Sequence, residues 1–575
     1  MTGILMDFIT AVLLLAGAGS AEELASDELE RFRSLSEHPL RINLLPEGRL
    51  RSSGLFSAYQ AAALEEYRRK YGDILSQAEF ALVDGIGPLA AEALSFFVSF
   101  ESAKPIGERP QSFVHQSLAL SGGIKQKDAP EAFHSLKYHS EFGERCELYF
   151  SIKRPYAPLS KRPPPLSGSL SAAVYPSRGG EIILGDFAAR FGMGLALWSG
   201  FSLSGFGSVA AFSRNAGGFA PTGSFSPVFS GLAGVFFKNG WTFGAGLHLP
   251  ALREFLSAFA GGVRGAFAVP LLSARHYGFR GEFGIQAFIK DGGAISADGT
   301  LNLGHWTLRG EAALSSALLS EDGAEILRTR GAFCASVRWA PAYQTAVALL
   351  ARYYPSGYYG LFAAAPRASS RTGDEAGIAL GIQRKSFEFT ADGALFPGKG
   401  GGQFKSVLNF SPQFVAGSFT LAPSLRWTER FKTGGISWRH EARLDLSASR
   451  GGFSAACRAD FVYSKGFGAL GYIQAGYKRS VPEKQNEFSA LLRACAFGTA
   501  TWENRIWCYE GDIPGSFSVP ARYGRGWNIY ALLGLKSART RRLRHSLRLK
   551  ASALFQNSPK RLPQTEIRLS YSISL

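Results

Sequence analysis

The sequence predicts a mainly β fold: a large transmembrane antiparallel β-barrel of about 22–26 strands preceded by a small all-α helix-hairpin-helix domain. Three observations predict it. Long runs alternate apolar and polar residues. These runs recur from Phe133 to Leu575 with no helical pattern between them. Aromatic residues gather near run ends, as in "RYYPSGYYG" (Arg352–Gly360), which suits an interfacial girdle.

The alternation is clearest near the C-terminus. In "TEIRLSYSISL", Ile567, Leu569, Tyr571, Ile573 and Leu575 share one face, and Arg568, Ser570, Ser572 and Ser574 share the other. In "EARLDLSAS", Ala442, Leu444, Leu446 and Ala448 oppose Glu441, Arg443, Asp445 and Ser447. Arg443, Asp445, Arg458 and Asp460 then give one wall mixed charge. In "RRLRHSLRLKASALFQ", Arg542, Arg544, Arg548 and Lys550 oppose an apolar set and form a basic ladder on the lumen side. That ladder reads either as a wall balanced by carboxylates or as a channel preferring anionic cargo. A soluble sandwich also alternates, but its strands average about 5–6 residues and these are longer. A β-propeller needs a repeat of about 40–50 residues, and none occurs. Leu575 is expected to close the barrel against the first strand. Asn239-Gly240 in "FFKNGWTF" predicts a two-residue hairpin. "KRPYAPLSKRPPPLSGS" (Lys153–Ser169) predicts a long polar loop, and "FPGKGGGQF" a glycine-rich turn.

The chain has 575 residues, with 67 Gly and 45 Phe; only 19% are charged, yet the net charge is +18. That balance suits nucleic acid, anionic lipid headgroups or an anion pore, and does not choose among them. The five cysteines show no C-x-x-C spacing, which excludes zinc and thioredoxin-like sites. Cys457 falls on the apolar alternation of a strand.

Residues 1–21 read as a secretory signal peptide, with an apolar run from Phe8 to Leu15 and small residues ending near Ala21. Residues 22–104 form the expected periplasmic helical domain, residues 105–132 a linker or first strand, and residues 133–575 the outer-membrane barrel. In the helical domain, "SAYQAAALEEYRRKYGD" predicts an amphipathic helix closed by Gly72. "ALVDGIGPLAAEALSFFVSF" follows, with Gly85, Ile86, Gly87 and Ala91 at the spacing of a helix-hairpin-helix turn. In such a turn, two glycines let backbone N–H groups approach a phosphate, and Ala91 permits close helix packing. Pro88 lacks an N–H, and Asp84 and Glu92 lie close, which favours a structural or protein-contact role. Arg68, Arg69 and Lys70 are the nearest basic cluster and the candidate phosphate contacts. An upstream copy of the motif is expected around Gly54, with Ser57 where a second glycine would sit.

The segment from Ser57 to Phe100 resembles the helix-hairpin-helix region of competence DNA-receptor proteins, in the version fused to large barrels in Bacteroidetes-type bacteria. Two further stretches, "LGDFAARFGMGLALWSGF" (Leu184–Phe201) and "RIWCYEGDIPGSFSVPARYGRG" (Arg505–Gly526), are similar to barrel motifs of that family. Met193 departs from the glutamine expected there. The resemblance implies an outer-membrane protein with a periplasmic N-terminal domain, and names no substrate.

No P-loop, G-x-S-x-G elbow or H-E-x-x-H motif occurs, and no enzyme activity, cofactor or metal site is expected. The expected function is translocation or reception at the outer membrane, with the helical module as plug, partner-docking or cargo-capture element. DNA uptake through the hairpin, a non-conducting assembly role and an outer-membrane enzyme are the alternatives. The expected partners are outer-membrane lipid, a periplasmic protein and, on the DNA reading, nucleic acid.

Overall fold

The computed structural model describes residues 32, 35–36, 39–102, 114–126, 129–143, 145–159, 164–176, 180–199, 205–214, 216–238, 240–250, 268–278, 280–290, 292–321, 324–342, 345–398, 402–432, 434–481, 486–514, 516, 518–538, 543–556 and 563–575. The predicted signal peptide and Arg542 lie outside these residues.

The larger part is a closed antiparallel barrel of 24 strands. Two short pieces extend neighbouring strands rather than adding to the circle. Gly218–Pro221 continues the edge of Phe229–Lys238 along Gly180–Arg190. Phe414–Ala416 continues Gln403–Pro412 along Phe419–Lys432. The barrel begins at Val114–Gln126, within the span read as linker or first strand. The last strand, Gln564–Ser574, pairs with the first, and Gln116 and Leu575 exchange backbone hydrogen bonds of 3.1 and 2.8 Å. Closure removes the exposed edges that an open sheet of this size would present.

Alternation sets the faces as read. Leu425, Ile436, Leu444 and Ile567 are 55, 62, 46 and 58% exposed on the outer face, which suits lipid. Arg443 and Asp445 stand opposite Asp460 and Arg458 in register on the inner face. Lys238 pairs with Trp241 around the predicted two-residue turn, with Gly240 at φ +77°. The proline-rich loop is shorter than expected, because strand Cys146–Pro158 runs through Pro155. The ladder shifts register opposite, between Ala132 and His134, which accommodates the donor that proline lacks.

Both the first strand's start and Leu575 lie at one end of the barrel, called here the termini end. Tight turns such as Gly451-Gly452 also lie there. Among the described residues, three long insertions, within 191–217, 355–374 and 500–524, leave from the opposite end.

The N-terminal region has its own core. Helices α1 (Glu47–Ser52), α2 (Ala58–Tyr71), α3 (Gln77–Phe80) and α4 (Gly87–Leu94) pack Leu50, Phe56, Leu64, Ile74, Phe80, Leu94 and Phe97 together. Each such side chain contributes about 1.5–3 kcal/mol on burial. Ser57 and Gln60 form a capping box that starts α2, and Gly72 at φ +90° ends it. The region is not all-α. Leu40–Arg41 pairs in parallel with Val98–Ser99, tying the ends of the unit together.

Candidate functional site

The lumen is the candidate site, and its contents come from stretches that sequence reading placed elsewhere. Past strand Gly180–Arg190, "FGMGLALW" turns inward: Leu195 and Leu197 are fully buried. The backbone N–H groups of Met193 and Leu195 donate to Glu311 Oε2 at 2.7 and 3.0 Å. Positive φ at Gly192 (+56°) and Gly194 (+86°) curls these amides around the carboxylate. The glycine pair therefore cradles an anion, and that anion is the chain's own wall. Gln286 and Ser296 hold the second oxygen of Glu311 at 3.0 and 2.6 Å.

"RYYPSGYYG" is largely an insertion rather than a girdle. Only Tyr353 points outward, at 42% exposure. The Tyr354 hydroxyl donates to Pro366 O at 2.7 Å, and that of Tyr358 to Leu195 O at 2.9 Å. Glu375 accepts from the backbone N–H of Ala368 and Ser369 at 2.7 and 3.0 Å, and from Arg352 Nε at 2.5 Å. The aromatics were misplaced because inward and outward tyrosines alternate at a strand end, where composition alone cannot separate them.

The third insertion carries "CYEGDIPGSF". Glu510 accepts from Arg522 and from Asn528 Nδ2, the latter at 3.0 Å, and lies 3.4 Å from Lys550 Nζ. Asp512 pairs with Arg568 and lies 3.8 Å from Lys550. Of the predicted ladder, Lys550 is therefore no open channel charge: it is 1% exposed and seats an inserted segment. Arg548 and Arg544 share its face and lie toward the termini end. Arg544 is exposed and Arg548 half-buried.

The N-terminal domain occupies the termini end. From α1, Arg49 reaches Glu141 and Glu147 at 2.9 and 2.6 Å, with side-chain exposure of 3% for the arginine. Arg51 meets Glu181 at 2.7 Å, both fully buried, and lies 4.9 Å over the Phe237 ring. The hydroxyls of Ser52 and Tyr175 are 3.0 Å apart. Tyr509, from the third insertion, packs against the domain's core. Burial pushes the Glu47 carboxyl up to about 7, with Arg51 opposing the shift.

Arg49 and Arg51 were missed in the sequence. Their signal was present: two arginines at i, i+2 flanking Leu50 in a short helix, with Glu141 and Glu147 facing each other across a tight turn. His139, Glu141 and Glu147 bring three donors within 4.8 Å, a metal-like arrangement whose carboxylates already hold a cation, the Arg49 guanidinium.

The hairpin residues come together as a packing device. Gly85 (φ +78°) lies on Tyr59, where a Cβ would approach the ring to 2.6 Å, and Gln60 Nε2 donates to its carbonyl at 2.8 Å. Ile86 and Ala91 are buried, and Gly87 (φ +71°) is open on its outer side. Arg68 is not available to a phosphate: its Nη1 donates to the carbonyls of Ile42 and Leu45 at 2.5 and 2.9 Å, and Nη2 pairs with Glu65. Arg69 and Lys70 are exposed.

No family model matches the chain, and no curated protein is similar to it. Solved barrels are similar in form. The P pilus usher (PapC) translocation pore is 12% identical, covers 80% of this chain and 99% of its own, and has a TM-score of 0.41. The siderophore receptor PirA from Pseudomonas aeruginosa is 8% identical over 81% of each chain, with a TM-score of 0.42. OccK11 (OpdR) of the same organism is 10% identical over 80% and 96%, with a TM-score of 0.30. At these values the likeness is one of general barrel form.

Proposed function

We propose that the chain is an outer-membrane transport barrel whose N-terminal domain is a plug latched to the wall at the periplasmic mouth. The carrying observation is the pair of buried ionic contacts from α1, Arg49 to Glu141 and Glu147 and Arg51 to Glu181. Tight turns and both strand termini share the plug's end, the side that faces the periplasm in antiparallel membrane barrels. The three insertions narrow the lumen from the other side. No catalytic step belongs to this reading. DNA capture at the hairpin has less support, since Arg68 is spent on backbone carbonyls and Asp84 stands exposed beside the turn.

Planar-bilayer recording of the full chain tests the plug. The Arg49→Ala/Arg51→Ala variant is expected to conduct more, with new open states. Unchanged conductance, together with unchanged protease protection of residues 40–102, refutes the latch.

A further inference from the structure

The lumen is filled unevenly. Along strand Thr345–Tyr354, beside the insertions, every second residue is buried. Along Phe419–Lys432 and Gly435–Arg450 none is buried, and on Gln403–Pro412 only Val407 is. One face of these strands meets lipid. The other face is half-buried to exposed along Phe419–Lys432 and Gly435–Arg450, which leaves a water-accessible sector of lumen beside these two; Gln403–Pro412 borders it, with Lys405 half-buried and Asn409 Nδ2 donating to Phe206 O at 3.3 Å.

That sector is basic. Alternation assigns Lys405, Arg426, Arg430, Lys432, Arg439 and Arg443 to its wall. Two contacts with insertions fix this face as the inner one: Lys405 Nζ to Ala368 O at 3.1 Å and Arg439 Nη2 to Arg505 O at 3.0 Å. The acids of the three strands on this face are Glu441 and Asp445. Glu441 lies 3.7 Å from Arg426 and 2.6 Å from Arg439, and Asp445 accepts from Arg458 at 2.6 Å. Arg443 is paired with Asp460 at 2.7 Å.

Lys405 and Arg430 are different. They stand directly opposite each other in register, and their neighbours on the far sides are Ala394 and Ser437. The nearby acids Asp392 and Glu375 are both held by Arg352, at 2.8 and 2.5 Å. Like charges directly opposite destabilise a sheet. A wall that served only to close the barrel gains nothing from such a pair, in which Arg430 is exposed and Lys405 is half-buried with Nζ donating to Ala368 O. A guanidinium fork beside an ammonium is, however, a seat for an oxyanion.

We propose that this sector is an anion path and that Lys405 and Arg430 together bind the carboxylate or phosphate group of a solute passing through it. The proposal rests on the reading of the barrel as a transporter and adds its substrate class.

The test is reversal-potential measurement on the full chain in a KCl gradient. Wild type is expected to prefer chloride, and more strongly at 0.1 M than at 1 M salt, as the Debye length grows from about 3 to about 10 Å. Millimolar inorganic phosphate is expected to reduce the chloride current. Lys405→Glu/Arg430→Glu is expected to lose both the preference and the phosphate block. If that variant fails to assemble, Lys405→Gln/Arg430→Gln is expected to lose the block. Conduction without anion preference, or block unchanged in the variants, overturns the anion path and leaves the transport reading standing. Silence of both wild type and the Arg49→Ala/Arg51→Ala variant overturns the transport reading and the path with it.

Discussion

Arg51→Met is the sharpest single test of how the domain is held. Arg51 and Glu181 are 2 and 0% exposed at the side chain, with their charged atoms 2.7 Å apart. Glu181 has no other hydrogen-bond partner among the described residues; its second oxygen is buried and unpaired. Removing the arginine leaves a buried carboxyl without its cation, a loss of at most about 3–5 kcal/mol for breaking one side of a buried pair, reduced to the extent that the carboxyl takes up a proton. At about 1.4 kcal/mol per tenfold, the undocked population rises on the order of a hundredfold to a thousandfold. The Arg49 contacts remain, so the domain loosens before it leaves. Hydrogen exchange of the α1 amides in detergent-solubilised protein reads this directly, and protection is expected to fall by that factor. Arg51→Met/Glu181→Met replaces both charges with apolar volume and is expected to recover most of the protection. Equal protection in wild type and Arg51→Met, or no recovery in the double variant, would refute the claim that this ion pair holds the domain.

Three further outcomes follow from the same geometry. Gly192→Ala forces a side chain into a φ of +56° and within 2.9 Å of Glu311 and Asp298, so it should cost about 1–3 kcal/mol and make residues 191–199 accessible to protease. Gly85→Ala drives a methyl into the Tyr59 ring and should lower the domain's stability by about 1–3 kcal/mol, read by exchange in α2 and α4. Glu47 has a folded-state pKa raised to about 7, so the stability from its protonated form is complete below its ordinary value and lost as pH rises through 7. Domain protection is therefore expected to fall between 4.5 and about 7 on the pH scale, by at most about 3 kcal/mol, and to level off above that, and Glu47→Gln should flatten that profile.

The wall was legible in the sequence because a period of two has one consequence: it fixes which side chains share a face. Hence Arg443, Asp445, Arg458 and Asp460 could be placed on one wall, where the register then pairs them, and Asn239-Gly240 located a hairpin. The lumen contents were not legible. "FGMGLALW" is as apolar as a strand, and the carboxylate that explains its glycines lies 118 residues away in Glu311. Lys550 could be placed on the inner face, but its neutralisation depends on Glu510 and Asp512, which arrive on an insertion rather than a strand. The hairpin spacing of Gly85 and Gly87 was visible. That Gly85 is spent on Tyr59, and Arg68 on two carbonyls, is tertiary information.

The two kinds of filling are attached by different chemistry, and the difference assigns their roles. The first two insertions are held through their backbones, Met193 and Leu195 to Glu311, Ala368 and Ser369 to Glu375, and Val209 to Glu388 at 2.6 Å; the third is held both ways, through Glu510 and Asp512 and through the Gly511 N–H on the Tyr530 hydroxyl at 3.1 Å. A bond to a main-chain N–H is independent of the loop's side chains and, once buried, costs the full desolvation of both groups to break. Among the described residues, no backbone–backbone hydrogen bond joins 39–102 to the barrel. The domain is attached by side chains, chiefly two arginines on one short helix. Opening such a contact exposes charges to water, which solvates them well, so the undocked state is far cheaper than an expelled loop. On the plug reading proposed above, the insertions would be the lasting constriction and the domain the exchangeable element. The open basic sector lies along strands 403–450, away from α1, whose ionic contacts fall on Glu141, Glu147 and Glu181. On that reading, undocking would add a second route on the domain's side of the lumen rather than open the first. Current through the Lys405–Arg430 sector should keep its anion preference in the Arg49→Ala/Arg51→Ala variant, while the added current need not share it.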